Sequence, residues 1–178
     1  MTAETAIPSP GILISLDALI IQRSEHPGAL DDAAVTLRRF GWIGRPIILV
    51  GPRVAGRDLP SDAADREAWV RATIGPGAYT VAPFEEPSAA RGDGSASEAV
   101  KAWGALREAS GATWLVTDHV APVGSARQAG LKVIVVGPPE PQPHPHRPDY
   151  QARDLRDAVG HLLAMDVFSE VGRSSGAQ

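Results

Sequence analysis

Residues 114–136 read WLVTDHVAPVGSARQAGLKVIVV and carry the strongest indication of fold in the chain. An apolar run over 114–117 leads to Asp118, a short helical pattern spans 122–129, and a second apolar run occupies 132–136. Apolar runs without polar alternation are typical of strands that are buried on both faces of a parallel sheet. This stretch therefore predicts a strand, a helix and a second strand, with Asp118 at the end of the first strand.

Two earlier stretches show the same apolar character. Residues 11–17, GILISLD, predict a buried strand that ends in polar side chains, and residues 46–50, PIILV, predict a second strand that ends at Gly51. Helical patterns lie at 31–40, 62–73, 97–109 and 154–165, and a weaker strand pattern lies at 79–82. Apolar strands that alternate with helices predict an α/β, three-layer Rossmann-like fold, in which a parallel sheet carries helices on both faces. We expect the four apolar strands to be central neighbours in that sheet.

The composition excludes several classes of function. The 178-residue chain has 17 Lys and Arg against 21 Asp and Glu, a net charge of −4, and no cysteine. A mildly acidic chain lacks the basic face that nucleic acids and anionic membrane surfaces require, so we expect neither partner. The lack of cysteine excludes disulfides, thiolate zinc sites and cysteine nucleophiles.

The chain is long enough for one globular domain. We expect this domain to span residues 11–171, between flexible tails at 1–10 and 172–178. The most apolar stretch, residues 12–21, is about half as long as a membrane-spanning helix and contains Asp17. The first residues include an acid and no basic residue, unlike a secretory signal. These features predict a cytoplasmic protein.

The ends of the predicted strands carry most of the candidate site residues. Parallel α/β sheets place their chemistry outside the carboxyl ends of the strands. In this chain those ends carry Ser15, Asp17, Gly51, Asp118 and His119. These residues are therefore the first candidates for a functional site.

The sequence resembles the haloacid dehalogenase-like (HAD-like) hydrolase superfamily over most of its length. Members of that family begin with an apolar strand that ends in Asp-x-Asp-Gly-Thr-Leu, and the corresponding residues here, 15–20, are SLDALI. A later strand of the family ends in Gly-Asp and is followed by Ala-Gly and another apolar strand, as Thr117-Asp118 and Ala129-Gly130 are here. The intervals between strands have no space for a large cap, so the resemblance is to capless members.

The resemblance implies an active site at the carboxyl edge of the sheet. In the family, the first Asp of the motif attacks phosphorus to form a phosphoaspartate, and the second Asp acts as acid and base on the leaving group. Ser15 occupies the position of the nucleophile here, and Asp17 occupies the position of the second acid. Asp17 and Asp118 are the implied magnesium ligands, so we expect their carboxylates to lie close together.

Four positions depart from the pattern of the family. Ser15 replaces the charged nucleophile, and Gly51 stands where a Ser or Thr binds the phosphate. Arg91 is the nearest basic residue to the family's lysine, and Pro122 replaces the second acid of Gly-Asp-x-x-x-Asp. Gly51 and Arg91 thus mark the implied phosphate-binding positions. The departures predict a degenerate site with little or no turnover through a phosphoaspartate.

Each candidate also has an ordinary structural explanation. Asp17 and Asp118 can cap the turns after their strands by accepting hydrogen bonds from backbone N–H groups. Arg91 lies in a Gly- and Ser-rich loop, where an arginine is typically solvated. His119 can titrate near neutral pH, although a histidine in such a loop is more commonly exposed.

Three functions follow from these observations. The first is a HAD-like domain that has lost phosphoryl transfer and acts as a binding or interaction module for a small phosphorylated molecule, a protein partner or a second copy. The second is an active magnesium-dependent phosphohydrolase that uses Asp17. The third is a nucleotide-binding or regulatory α/β domain with incidental aspartates. It ranks last because the chain has neither G-x-G-x-x-G nor G-x-x-x-x-G-K-[ST].

Overall fold

The computed structural model describes residues 11–16, 18, 46–51, 63–74, 79–85, 96–139 and 147–174. The elements in these ranges are β1 (Gly11–Ser15), β2 (Ile47–Gly51), α1 (Ala63–Ile74), β3 (Thr80–Glu85), α2 (Ala96–Ser110), β4 (Ala112–Thr117), α3 (Val123–Gln128), β5 (Lys132–Val136), β6 (Tyr150–Ala152) and α4 (Leu155–Ser174). Each of the four apolar runs forms a strand. Within the described ranges, no helix is long and apolar enough to cross a membrane.

The described strands form one parallel sheet in the order β3-β2-β1-β4-β5-β6. Ser15 of β1 aligns with Val50 of β2, and Ile14 of β1 aligns with Val116 of β4. The chain runs outward from β1 to β3 and then returns to the other side of β1 to form β4. The junction of β1 and β4 is therefore the topological switch point, where open α/β sheets bind ligands. The prediction that the four apolar strands are central neighbours is confirmed.

Alternate residues of the central strands pack against opposite helix layers. Ile14 lies in a core that also contains Leu162 of α4. Leu13 lies in a second core with Trp103 of α2 and Val123 of α3. Helices therefore cover both faces, which confirms the three-layer arrangement. The apolar runs are continuous because both faces of each central strand are buried.

The edge strand β6 is not predicted by the sequence pattern. It has three residues and follows a proline-rich stretch without an apolar run. Its place at the sheet edge comes from pairing of Val136 with Ala152 and from a 2.8 Å hydrogen bond that the Asp149 N–H donates to the Val133 carbonyl. Tertiary pairing thus forms this strand where the local sequence does not specify one.

The last helix, α4, is longer than predicted. It continues to Ser174, beyond the predicted end at residue 165, because no glycine or proline follows until Gly172. The predicted helix at 31–40 lies outside the described residues. The division of the chain into one domain and two tails stays a prediction.

The Ala-Gly pair after α3 ends that helix in a left-handed glycine cap. The Gly130 N–H donates to the Arg127 carbonyl at 2.9 Å, and the Leu131 N–H donates to the Ala126 carbonyl at 3.0 Å. These bonds satisfy carbonyls that the helix itself leaves without partners. Gly130 has a φ of 87°, which glycine adopts without steric cost. The glycine therefore turns the chain directly into β5.

We expect Gly130→Ala to lower the free energy of unfolding by about 1–2 kcal/mol, because a Cβ is strained at positive φ. The added methyl would also meet Arg107 Nη1, but that flexible side chain can move away. The matched control is Gly160→Ala in α4, where the space is open and a gain of about 0.5–1 kcal/mol is expected. Urea unfolding measures both values. Equal changes in the two variants would contradict the left-handed cap.

The start of α4 is held by two carboxylates. Asp154 Oδ1 accepts a 2.7 Å hydrogen bond from the Asp157 N–H, and Asp157 Oδ2 accepts a 3.0 Å bond from the Arg153 N–H. Tyr150 Oη donates to Asp157 Oδ1 at 3.1 Å. The Arg153 N–H and, to a smaller extent, the Tyr150 hydroxyl lower the pKa of the Asp157 carboxyl. The hydrogen bond to Asp157 in turn raises the pKa of Tyr150. The helix start is therefore tied to β6.

The lowered pKa of Asp157 predicts a loss of stability in acid. A carboxyl with a lower pKa in the folded state stabilises the fold at neutral pH, and this contribution is lost as the pH falls below its ordinary value of 3.8 and through the folded value. We expect Asp157→Asn to be less stable than wild type at neutral pH, and the difference to shrink in acid. Unfolding free energies of both proteins at a series of pH values measure this.

The matched control for that series is Glu98→Gln, an exposed substitution in α2 that should change the neutral-pH stability little. A constant difference between wild type and Asp157→Asn at every pH would show that the Asp157 carboxylate does not stabilise the helix start through its charge.

Candidate functional site

The carboxyl ends of β1 and β4 bring two hydroxyl groups together at the switch point. Ser15 ends β1, Thr117 ends β4, and both residues are fully buried. Because Ile14 aligns with Val116, the next residues, Ser15 and Thr117, lie side by side on neighbouring strands. Ser15 is two residues after Leu13 and therefore lies on the same face of the sheet, the one covered by α2 and α3.

Asp118 and His119 extend this edge beyond β4. His119 Nδ1 lies 3.0 Å from Asp118 Oδ1 and 2.9 Å from Thr117 Oγ1. A ring nitrogen beside a carboxylate is assigned as the protonated one, so Nδ1–H is the donor shared by the two oxygens. The imidazole and carboxylate side chains are only 12% and 8% exposed. The three side chains form one network that fixes the Asp118 carboxylate at the sheet edge.

This network orients a carboxylate and does not activate a nucleophile. A serine-type triad needs one imidazole nitrogen to take the proton of the nucleophile and the other nitrogen to be held by the acid. Here Thr117 and Asp118 both meet Nδ1 of His119. Thr117 is therefore a structural partner of His119.

Most predicted site residues that the structure describes lie at this edge. Ser15 ends β1, Gly51 ends β2, both residues are buried, and Asp118 follows β4 directly. Pro122, at the position of the family's second acid, is buried at the start of α3 and has no carboxylate. The parallel topology thus places the first and later motifs of the resemblance at one end of the sheet.

The fit of this edge to a magnesium ion depends on Asp17. The described ranges contain no group of three or more His, Asp and Glu side chains that could hold a metal. Asp118 offers one carboxylate and Ser15 one hydroxyl, whereas Mg²⁺ usually takes one or two protein carboxylates with water and substrate phosphates. The described donors alone make an incomplete Mg²⁺ site, whose second carboxylate would have to be Asp17. Asp17 and Arg91 lie outside the described residues, so the closeness of Asp17 to Asp118 stays a prediction.

The surroundings of His119 are not predicted by the sequence pattern. The expectation of an exposed loop histidine is wrong, because the side chain packs back onto Thr117 and Asp118 and is 12% exposed. The spacing contains a signal for this contact. Thr117 and His119 are two residues apart, and such side chains lie on one side of an extended segment.

A cavity of about 200 Å³ opens beside the network, and we call it the β4–β6 cavity. It lies at the carboxyl ends of β4, β5 and β6, and its lining residues are Asp118, His119, Val120, Ala121, Val135, Val136, Pro138 and Gln151. Gln151 Nε2 donates a 2.9 Å hydrogen bond to the Gly137 carbonyl, which fixes the side-chain amide. Sequence reasoning misses Gln151 because it misses β6.

Comparison with known proteins identifies the fold. No protein-family model matches the chain, and no curated protein matches it in sequence. The D,D-heptose 1,7-bisphosphate phosphatase from Burkholderia thailandensis has a TM-score of 0.56 and 15% identity, over 87% of this chain and 99% of that chain. The same phosphatase from B. bronchiseptica, complexed with magnesium and phosphate, has a TM-score of 0.53 and 14% identity, over 88% of this chain and 99% of that chain.

A dehalogenase with an intermediate complex also matches, with a TM-score of 0.48 and 15% identity over 71% of this chain and 53% of that chain. The two heptose bisphosphate phosphatases belong to the HAD superfamily. The TM-scores of 0.53 and 0.56 show a shared fold, and at identities of 14% and 15% they show nothing about the chemistry of this chain. The chain has the HAD-like α/β fold.

Proposed function

We propose that this protein is a capless HAD-like domain with a degenerate active site, which binds a small molecule without transferring its phosphoryl group. Ser15 carries the proposal, because it is fully buried at the end of the central strand β1, where the family has its nucleophile. A serine hydroxyl is protonated at neutral pH. It provides neither an attacking carboxylate nor a charged ligand for magnesium.

Two neighbouring positions support the loss of chemistry. Gly51 ends β2 without the hydroxyl that would bind a phosphate, and Pro122 has no carboxylate before α3. The loss of one well-placed electrostatic group commonly costs about 10²–10³ in rate. Groups that act as a unit fail together, so the changes at Ser15, Gly51 and Pro122 are expected to abolish phosphoaspartate chemistry.

The retained groups favour binding. Asp118, oriented by His119, would hold Mg²⁺ together with Asp17. The ion, when bound, would neutralise the negative charge of a phosphate group. The backbone at Gly51 and the guanidinium of Arg91 would bind the phosphate oxygens. We expect a small phosphorylated ligand in a cytoplasmic protein, with a protein partner or a second copy as the alternative ligand.

A second candidate function is an active magnesium-dependent phosphohydrolase. Two observations favour it. The network keeps Asp118 oriented, as hydrogen bonds to metal-binding side chains do in working metal sites, and one similar solved structure is a phosphatase complexed with magnesium and phosphate. In this mechanism Asp17, the first acid after β1, would take the role of the nucleophile.

A phosphatase assay separates the two functions. Wild type and Asp17→Asn are incubated with magnesium and a set of phosphate esters, and ester binding is measured by calorimetry on the same samples. The proposed function predicts binding by wild type and no turnover by either protein. Turnover by wild type that is lost in Asp17→Asn would establish the phosphohydrolase. Neither binding nor turnover would contradict both functions.

A further inference from the structure

The β4–β6 cavity extends away from the position of the lost nucleophile. Ser15 and Gly51 end β1 and β2, whereas the described walls of the cavity come from β5, β6 and the turns after β4 and β5. Asp118 lies at both places, since it follows β4 beside the switch point and also lines the cavity. Asp118 is therefore shared by the switch point and the cavity.

The walls of the cavity are mainly apolar. Val120, Ala121, Val135, Val136 and Pro138 form this part of the lining. The remaining described lining residues are a carboxylate, an imidazole and an amide, with no lysine or arginine among them. Phosphate sites use cationic side chains or converging N–H donors. The described lining therefore lacks the cationic side chains that hold a phosphate and suits an apolar organic group better.

Gln151 provides an oriented polar group in these apolar surroundings. Its Nε2 donates to the Gly137 carbonyl at 2.9 Å, which assigns the orientation of the planar amide. The other end of that amide, Oε1, is a hydrogen-bond acceptor. An acceptor that is already held in place loses little side-chain freedom when a ligand binds. A ligand with an N–H or O–H donor would gain from this arrangement.

On the basis of the proposed function, we propose that the β4–β6 cavity binds the organic part of the ligand, a small apolar group that carries a hydrogen-bond donor for Gln151. The volume of about 200 Å³ is below the roughly 300–1,000 Å³ of sites for drug-sized ligands, so the group is small. A phosphate on the same ligand would lie outside the cavity, on the side of Ser15 and Gly51.

Three small probes test this proposal on the full chain labelled with ¹⁵N. Isobutyramide has a branched apolar body and an N–H donor, isobutyrate has the same shape with a charged acceptor, and inorganic phosphate has no apolar body. We expect isobutyramide to shift the amide signals of Ala121, Val136 and Gln151 at millimolar concentration. Isobutyrate is expected to bind at least about fivefold more weakly, because it has no donor and is repelled by Asp118. Phosphate is expected to leave these three signals unchanged.

Substitutions locate the bound probe. Gln151→Leu is expected to weaken isobutyramide binding about three- to tenfold, the effect of one lost hydrogen bond. Gln128→Leu, an exposed change on α3, is the matched control and should leave the affinity unchanged. Ala121 is exposed where it lines the cavity, so Ala121→Trp should obstruct binding without disturbing the core.

Three results would overturn the proposal: equal binding of isobutyramide and isobutyrate, isobutyramide shifts away from the cavity, or full affinity in both Gln151→Leu and Ala121→Trp. The outcome is distinguishable from a failure of the proposed function. Turnover of phosphate esters by wild type would contradict the binding-module function and would leave the probe results for the cavity unaffected.

Discussion

Leu115→Ala is expected to lower the free energy of unfolding by about 2–5 kcal/mol, a large fraction of the stability of a domain of this size. Leu115 is fully buried in β4 and shares a core with Leu13 of β1 and Val133 of β5. Truncation removes buried apolar surface and leaves a cavity, which the paired strands on both sides prevent from closing. Urea unfolding measures this loss of stability. The same m-value, the slope of unfolding free energy against urea concentration, is fitted to wild type and variant.

The matched control is Leu163→Ala in α4, where the same chemical change removes a partly buried side chain. We expect its cost to be clearly smaller, because water can reach part of the vacated space. Equal costs for Leu115→Ala and Leu163→Ala would contradict the central position of β4 in the sheet.

Ser15→Asp is expected to raise magnesium-dependent hydrolysis of phosphate esters about 10–10²-fold above the wild-type background. The substitution places a carboxylate at the end of β1, on the strand next to Asp118. The gain is limited because Gly51 and Pro122 remain, and catalytic groups that act as a unit are strongly non-additive. Initial rates on the esters used for wild type measure the gain.

The matched control for this restoration is Ser97→Asp, which adds the same charge at an exposed position of α2. Ser97→Asp should produce no activity, and the double variant Ser15→Asp with Asp17→Asn should lose what Ser15→Asp gains. Thermal unfolding establishes that Ser15→Asp is folded, since a carboxylate replaces a fully buried residue. A folded Ser15→Asp without any gain would contradict the assignment of Ser15 to the nucleophile position.

The sheet is predictable from the sequence because its central strands are buried on both faces. Continuous apolar runs such as the ones at Ile14 and Ile134 have few alternatives to a parallel sheet between helix layers. The same reasoning fails for β6. Its three residues contain no such run, and a parallel pairing with β5 together with the Asp149 N–H bond to Val133 forms the strand. The local sequence pattern therefore predicts the central strands, which are determined by burial. It does not predict the edge strand, which is determined by pairing with its neighbour.

The sequence predicts the candidate site only in part, as it does the sheet. Strand ends can be located from apolar runs, so Ser15, Gly51 and Asp118 are found in advance at one edge of the sheet. The partners of His119 and Gln151 are not found, because each depends on how the chain turns after its strand. Side-chain networks of this kind follow from tertiary geometry and carry only a weak signal in the spacing of residues.

We propose that the carboxyl edge of this sheet forms no phosphoryl-enzyme, and the mass of the intact protein tests this proposal most directly. Wild type is mixed with magnesium and acetyl phosphate, a small reactive phosphoryl donor, quenched in acid at successive times and analysed by mass spectrometry. The proposed function predicts an unmodified mass at every time. An added phosphoryl group that maps to Asp17 or Ser15 would contradict it.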